Sequence, residues 1–469
     1  MRKSAIILIA AVFLSDCTVG PTYQRPALPA PPTFRAPEGT ATADPTSLGD
    51  LKWFEVFKDE RLQELVRTAL EQNYDLRDAA ARIEAASASL GTTRSDQFPN
   101  VGASANISTV RFSRNGQTPL PASFVPSQNR TFGSATLGLL SFEVDIWGRL
   151  RRATEAARAN LVSADENRKA VRTTLVSEVA SSYFTLRELD YQLDISRRTL
   201  STRRESQDLI QNRQAGGVAT LLDLRQAEQL VYTAAATIPA LQQEIEQTEN
   251  RISLLLGRNP GEVLRGRSLV EQDLLPVVPP GLPSALLERR PDIRAAEQNL
   301  IAANAEIGVA KAAYFPQISL TGFLGGQGTQ LSSLFMGPSA VWNFTPQVTQ
   351  PIFTAGRIKS EVRLSQALRD GALIQYEKAI QTAFTEVSDT LIAHQRVREG
   401  RVQQELLVAA LQDRTRLAYV RYRGGVDTLL NALDSDRDLF QAELALSQIR
   451  LNELNSVVQL YKALGGGWQ

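Results

Sequence analysis

The densest set of side chains able to do acid–base or electrostatic chemistry lies late in the chain. Four aspartates fall within residues 427–438: Asp427, Asp434, Asp436 and Asp438. Arginines and a tyrosine flank them: Arg421, Tyr422, Arg423 and Arg437. Such a run is usually a solvated helix face. In a symmetric assembly, however, each inward carboxylate becomes one member of a ring that favours cations and repels anions.

Other reactive side chains are scarce. The chain has one histidine, His394, for which a solvated or inter-helix hydrogen bond is expected rather than catalysis or metal binding. Residues 261–268 mimic a phosphate-binding loop, but Arg267 replaces the required lysine and no strand pattern precedes them. We therefore expect no enzyme activity, no cofactor and no metal site.

Composition narrows the class of protein further. The 469 residues are 43% hydrophobic and 22% charged, with a net charge of +1. This is a globular composition, and it gives no electrostatic case for a nucleic-acid partner. A single cysteine excludes a disulfide framework. Beyond the N-terminus, no stretch approaches the 18 apolar residues of a membrane-spanning helix.

The N-terminus reads as a targeting segment. Arg2 and Lys3 precede the short apolar run 5–14, and Cys17 follows. This pattern predicts a signal peptide over 1–16 and, at the cleavage point, a bacterial lipoprotein acylated on Cys17. Asp16 departs from the small residue usual before such a cysteine, so a plain signal peptide with an incidental cysteine stays an alternative. Residues 17–60 predict an extended lead-in.

The rest of the chain is an internal duplication. Residues 75–99 align with 292–316 at an offset of 217. Gly216-Gly217-Val218 aligns with Gly424-Gly425-Val426 at an offset of 208, so one variable loop accounts for the difference. Order, spacing and glycines recur together, which indicates two structural repeats.

Each repeat predicts a short helix, two strands, a long helix, a Gly-Gly turn and a medium helix. Repeat 1 covers 61–257, with the short helix at 75–97, strands near 99–112 and 131–145, and helices near 150–213 and 220–256. Repeat 2 covers 292–464, with the short helix at 292–314, strands near 316–327 and 339–353, and helices near 358–421 and 428–463. Residues 258–291 form a connector, and 465–469 form a C-terminal tail.

The long helices predict packing along their whole length. Apolar residues recur seven apart at Val179, Leu186, Leu193 and Leu200, and in repeat 2 at Leu373, Ile380 and Val387, with Phe384 and Leu391. A 64-residue helix is roughly 96 Å long. The helices alone fit a tube wall and a plain coiled-coil rod equally well.

The strand segments alternate between apolar and polar residues. Residues 131–145 place Phe132, Leu140, Phe142 and Val144 on one expected face. In repeat 2, apolar residues oppose a polar set: Ile318, Leu320, Gly322, Leu324, Trp342, Phe344, Val348 and Ile352 against Gln317, Ser319, Thr321, Asn343, Thr345, Gln347 and Thr349. An outer-membrane barrel has this signature, although soluble hairpins resemble it.

Four strands cannot close a membrane barrel, and lipid does not tolerate open strand edges. Three copies of the chain would supply 12 strands in total, which leaves room for a lumen. The sequence thus predicts a mixed α and β membrane fold. Its missing strands must come from other copies of the chain.

Several segments resemble the outer-membrane factor family, the TolC-like channels of tripartite efflux pumps, and especially its OprM- and NodT-type lipoproteins. They are spread over nearly the whole chain: Cys17-Thr-Val-Gly-Pro-Thr-Tyr-Gln-Arg-Pro26, Arg289-Arg-Pro-Asp-Ile293, Phe315-Pro-Gln-Ile-Ser-Leu320 and Leu460-Tyr-Lys-Ala-Leu-Gly-Gly-Gly-Trp468. The resemblance implies a homotrimer: a trimeric 12-stranded outer-membrane β-barrel, with four strands per chain, that continues into a long periplasmic α-helical barrel. It also implies docking to a periplasmic adaptor and to an inner-membrane transporter of the resistance-nodulation-division class.

The resemblance also implies a gate just beyond the second Gly-Gly turn. By motif match, Leu430 would form an apolar ring and Asp434 an acidic ring. Tyr422 and Arg437 would link to the neighbouring helix pair, and Asp223 on the turn of repeat 1 would receive such a link.

The expected function is a passive exit duct for drugs or other small toxic compounds, gated at its periplasmic tip. Two alternatives stay open within the channel class, export of metal cations and type I secretion of a polypeptide. A structural periplasmic coiled-coil lipoprotein is the alternative from another class.

Overall fold

The computed structural model describes residues 18–27, 31–36, 47–111, 129–272, 281 and 283–468. The expected signal peptide and Cys17 lie outside the described residues, as do residues 112–128 and 273–280. None of the described helices is both long and apolar enough to cross a membrane.

The described elements follow the same order in both repeats. Among the described residues, three α-helices precede the first strand: α1 (Trp53–Val56), α2 (Glu60–Gln72) and α3 (Tyr74–Ser95). Repeat 1 continues with β1 (Asn100–Arg111), β2 (Asn129–Glu143), α4 (Arg149–Ala215) and α5 (Leu221–Leu255). The connector contains α6 (Pro283–Arg289), and repeat 2 contains α7 (Pro291–Ala312), β3 (Gln317–Gly328), β4 (Ala340–Thr349), α8 (Arg357–Arg423) and α9 (Leu429–Ala463).

The two repeats are built to the same lengths. The long helices α4 and α8 have 67 residues each, and the medium helices α5 and α9 have 35 each. The seven-residue apolar pattern of α4 is buried, with Val179 and Leu186 both fully inaccessible. In α8, Ile380, Phe384, Val387 and Leu391 are buried as the heptads predict, whereas Leu373 is only half-buried.

The chain divides into two compact units. The first comprises residues 1–26, 83–164 and 296–376 and contains the sheet. The second comprises residues 27–82, 165–295 and 377–469 and contains the two Gly-Gly turns. Its core includes Asp59, whose carboxylate caps α2 and accepts hydrogen bonds from the Tyr183 hydroxyl and from Gln272, both at 2.9 Å.

The sheet of the first unit is antiparallel throughout, with strand order β1-β2-β3-β4. Directly paired residues share a face, so the register assigns the two faces. Ile318 pairs with Val348, Gly322 with Phe344, and Leu324 with Trp342, and these residues form the apolar face. The polar face carries a Ser104–Thr136 hydroxyl hydrogen bond at 2.9 Å. The repeat 2 strands alternate as predicted, except that Ile352 lies beyond the end of β4.

One strand face was predicted wrongly. The register of β2 against each of its two neighbours, β1 and β3, shifts between Leu139 and Phe142. This β-bulge inserts an extra residue and reverses the alternation. Before the bulge, the apolar face therefore holds Leu137 and Leu139, and Phe132 lies on the polar face beside Ser134 and Thr136.

Candidate gate at the Gly-Gly turns

The two turns between long and medium helices have the same backbone. Gly217 and Gly425 adopt φ values of +74° and +72°. At each turn, the amide after the second glycine donates to the carbonyl five residues earlier, at 2.8 Å in repeat 1 and 3.1 Å in repeat 2. This is the Schellman ending of a helix, for which glycine is favoured at the left-handed position.

A threonine begins the medium helix in each repeat. The Thr220 hydroxyl accepts from the Asp223 amide at 3.1 Å, and Asp223 Oδ2 accepts from the Thr220 amide at 2.8 Å. This reciprocal pair is a capping box. In repeat 2, the Thr428 hydroxyl accepts from the Asn431 amide at 3.5 Å. Asp223, the expected acceptor of an inter-helix link, thus already has a local role through one carboxylate oxygen.

The side chains around the second turn divide into a buried and an exposed set. Tyr422 is buried, and the Arg213 guanidinium lies 4.9 Å from its ring centroid. Five further residues complete this cluster: Ile210, Ala227, Leu429, Ala432 and Leu433. Leu430 points away from it and is 49% exposed. An exposed leucine beside a packed cluster leaves an apolar surface unused within the chain.

Asp434 and Arg437 lie one helical turn apart on α9. Arg437 Nη1 is 3.0 Å from Asp434 Oδ1, and Arg437 Nη2 is 2.9 Å from Asp438 Oδ1. Asp438 also accepts from Arg414 of α8 at 3.0 Å. Hydrogen bonds from Arg437 and Arg414 hold the pKa of Asp438 below its usual range. Exposed pairs of this kind contribute little to stability because water screens them.

Asp427 forms hydrogen bonds with residues on both sides of the turn. Its carboxylate accepts from Asn431 Nδ2 at 2.7 Å and from Arg421 Nε at 3.0 Å. The hydrogen bond from Asn431, followed by that from Arg421, lowers the pKa of Asp427.

Asp436 has an environment that the sequence reasoning missed. It is buried and accepts from Arg203 Nε at 2.6 Å, while Arg203 Nη1 donates to the Leu230 carbonyl at 2.9 Å. The same guanidinium lies 4.9 Å from the Phe440 ring centroid. Arg203 therefore links α4, α5 and α9. Spacing was the available signal: Asp434 and Asp438 share a helix face, whereas a residue midway between them points elsewhere.

The remaining candidate groups have structural surroundings. The Ser456 hydroxyl donates to the Glu453 carbonyl at 2.6 Å, so at 2.8 Å it accepts from His394 Nδ1. The predicted inter-helix hydrogen bond of His394 is confirmed, and burial lowers the pKa of this imidazole. Among the described residues, no three or more His, Cys, Asp or Glu side chains are grouped to hold a metal.

These features can be set beside known proteins. A sequence profile described as "Outer membrane efflux protein" matches residues 65–258 and 282–466, once in each repeat. The chain belongs to the outer membrane efflux protein family. The predicted family and the predicted mixed α and β fold are thus confirmed, and the chain is an efflux protein of the outer membrane.

Relatives align over the full chain. "Toluene efflux pump outer membrane protein TtgC" of Pseudomonas putida is 40% identical over 475 residues, covering 100% of this chain and 96% of that protein. "Outer membrane protein OprJ" of Pseudomonas aeruginosa is 36% identical over 476 residues, covering 100% and 97%. The open state of the Neisseria gonorrhoeae MtrE outer membrane channel superposes with a TM-score of 0.87 at 32% identity, covering 97% and 99%.

Proposed function

We propose that three copies of this chain form one passive duct through which an efflux pump discharges drugs or other small toxic compounds. The observation that carries the proposal is the four-stranded sheet, which has an exposed apolar face and two edge strands, β1 and β4. Trp342 is 80% exposed and Ile107 is 69% exposed on that face. Because open strand edges are not tolerated in lipid, β1 of one copy pairs with β4 of the next in the assembled barrel.

The helices support the same assembly. The long helix α8 exposes eight large apolar side chains along its length: Leu364, Leu368, Ile374, Val402, Leu406, Leu407, Leu417 and Val420. An exposed apolar face on a heptad-patterned helix favours packing against a further helix. In the proposed trimer this face meets the helices of the neighbouring copy, and the helices together form the wall of a periplasmic tube.

The proposed partners are a periplasmic adaptor and an inner-membrane transporter of the resistance-nodulation-division class. The names of TtgC and its relatives describe outer membrane components of pumps, which supports a role for this chain as one part of a pump. Because a duct supplies no energy, the transporter selects and drives the substrate.

The proposed attachment to the outer membrane includes a covalent lipid on Cys17. Palmitate labelling of the wild type and of Cys17→Ser tests this. Label on the wild type alone supports the lipoprotein, and no label on either chain rejects it.

The proposed gate consists of two stacked rings. Leu430 and Asp434 are four residues apart on α9 and thus share a helix face, and both are accessible. In the trimer, the three leucines narrow the duct and the three aspartates lie one turn further along. Tyr422 at the end of α8 and Arg437 of α9 link the second hairpin to the neighbouring hairpin, with Asp223 as an acceptor. Docking of the adaptor breaks these links and lets the second hairpin swing outward.

Conductance of the channel in planar bilayers tests the gate. The double variant Asp434→Ala/Arg437→Ala removes the charged pair, and we expect a higher single-channel conductance than in the wild type. The matched control is Arg225→Ala/Glu228→Ala, which removes an ion pair from the turn of repeat 1. Its two residues are also three positions apart in the sequence, and their charged atoms are 2.6 Å apart. Equal conductance of the gate variant and the wild type would remove the gate assignment.

Two measurements test the duct itself. A purified protein that runs as a detergent-stable, heat-modifiable trimer and carries single-channel current supports it, and a monomer without current rejects it in favour of a structural coiled-coil protein. A deletion strain that becomes sensitive to drugs supports the proposed substrate class. Sensitivity to metal salts alone would assign the duct to cation export instead.

A further inference from the structure

The connection between β3 and β4 folds back onto one face of the sheet. A Cβ atom on Gly326 would collide with the carbonyl oxygen of Leu334, and a Cβ atom on Gly328 would lie 3.5 Å from the Ser333 hydroxyl. Leu334 is only 6% exposed. Residues 333–334 therefore pack directly against the backbone of the last residues of β3.

The register shows which face they cover. Gly326 pairs with Ala135 and with Ala340, and it shares its face with Leu324 two residues earlier. Gly325 points to the opposite face, where its Cβ would meet Thr136. The connection thus lies over the apolar face, in a shallow depression that is present because the residues beneath it are small.

The outer side of this connection is apolar. Phe335 is 84% exposed, Leu331 is 71% exposed and Met336 is 58% exposed. Connections at the rim of a protein are usually polar because they meet water. Three large apolar side chains at the surface of one short connection indicate a surface that is covered in the working protein.

A cation lies at the same rim and on the same face. Arg111 is the last residue of β1 and pairs with Asn129, two register steps beyond the Thr109–Thr131 pair. This places it on the face that also holds Ile107 and Leu137. Arg130 is at the same end of the sheet but on the polar face, since its partner is Val110.

We propose that the connection 329–339 and Arg111 together bind lipid of the outer leaflet, with Leu331, Phe335 and Met336 among acyl chains and Arg111 at a phosphorylated headgroup. The inference rests on the proposed function, in which the apolar face of the sheet meets the membrane. The positive charge of Arg111 favours an anionic lipid. A lipid is the expected occupant because the connection continues the apolar face of the sheet, which meets the membrane in the proposed function.

Site-directed nitroxide labels in a Cys17→Ser background test the position of the connection. The labels are placed at Phe335→Cys, Trp342→Cys and Asn343→Cys, and the channel is reconstituted in phosphatidylcholine vesicles that contain lipid A. All three positions are exposed within the chain, so these substitutions do not disturb its core. Collision with molecular oxygen reports lipid, and collision with a water-soluble nickel chelate reports water.

We expect the Trp342 label to meet oxygen, the Asn343 label to meet the nickel chelate, and the Phe335 label to behave like the Trp342 label. A Phe335 label that meets the chelate, or is shielded from both reagents by a neighbouring copy, overturns the inference and leaves the barrel intact. Identical accessibility at Trp342 and Asn343 overturns the barrel, and this inference with it.

The headgroup contact has its own test. The thermal midpoint of the reconstituted channel should rise when lipid A is added to phosphatidylcholine vesicles. Arg111→Gln should lose most of this rise, and the matched variant Arg130→Gln should keep it because that side chain is on the polar face. An unchanged rise in Arg111→Gln overturns the role of Arg111.

Discussion

The two Gly-Gly turns have the same backbone conformation but differ in their charged side chains. Each has a glycine in the left-handed region followed by a threonine cap. At an offset of 208 residues, Leu430 corresponds to Leu222, but Asp434 and Arg437 correspond to Gln226 and Gln229.

The difference separates the scaffold from the specialised part of the duplication. The turn of repeat 1 is held by a capping box and carries amides where repeat 2 carries an acid and a base. The backbone requirement was kept in both repeats, while the pair of Asp434 and Arg437 occurs in one. A gate at the turn of repeat 2 alone is consistent with this asymmetry.

The buried pair of Asp436 and Arg203 should give the largest difference between the turns. Asp436→Ala leaves Arg203 buried without its carboxylate, which costs about 3–5 kcal/mol of unfolding free energy. The matched variant Glu228→Ala removes the corresponding residue of repeat 1, whose partner Arg225 is exposed, and should cost much less. Thermal and denaturant unfolding in detergent measure both.

The double variant Arg203→Met/Asp436→Leu distinguishes charge from packing. It removes both charges and keeps apolar volume, so its stability should return close to that of the wild type. A double variant as unstable as Asp436→Ala would mean that packing at this site, and not an unpaired charge, sets the loss.

The turn glycines should give equal effects in the two repeats. Gly217→Ala and Gly425→Ala each force a side chain into the left-handed region, at about 1–2 kcal/mol. Gly424→Ala is the control, since its added Cβ meets only ordinary contacts of 3.4 and 3.6 Å and its φ is not positive. Unequal losses for Gly217→Ala and Gly425→Ala would contradict a shared scaffold.

The sequence predicts features that depend on local periodicity. The duplication, the four long or medium helices and the apolar face of β3 and β4 each repeat over many residues, so several residues report the same pattern. The burial of Val179 and Leu186 follows from heptads in this way.

Features that depend on a distant partner were missed. The bulge after Leu139 exists because β2 pairs with β1 and β3 at once, and no residue type near it signals the shift. Arg203 is 233 residues from Asp436, so nothing local shows that they meet. Trimer contacts were inferred only because four strands and exposed edges leave the chain incomplete.

The helix caps should give a smaller difference. Thr220→Ala and Thr428→Ala each remove a side-chain acceptor at a helix start, which costs about 1 kcal/mol. We expect the larger loss in repeat 1, where Thr220 belongs to a reciprocal box, whereas the Thr428 bond is 3.5 Å long. Hydrogen exchange of the first-turn amides of α5 and α9 measures both, and an equal or larger loss at Thr428 would contradict the expected order.

We expect acid to destabilise the turn of repeat 2, and by less than any of the substitutions above. The pKa values of Asp427 and Asp438 are lowered from about 3.8 by bonds that exist in the folded chain. Their stabilising contribution is therefore fully present above pH 3.8 and is lost as pH falls through the lower folded values. Hydrogen exchange corrected for its intrinsic pH dependence should show amides 427–438 losing protection as the pH falls below 3.8. In Asp427→Asn/Asp438→Asn the loss should shrink, because neither side chain titrates. An unchanged loss in that variant would assign the acid response to other groups and leave these two aspartates without a part in it.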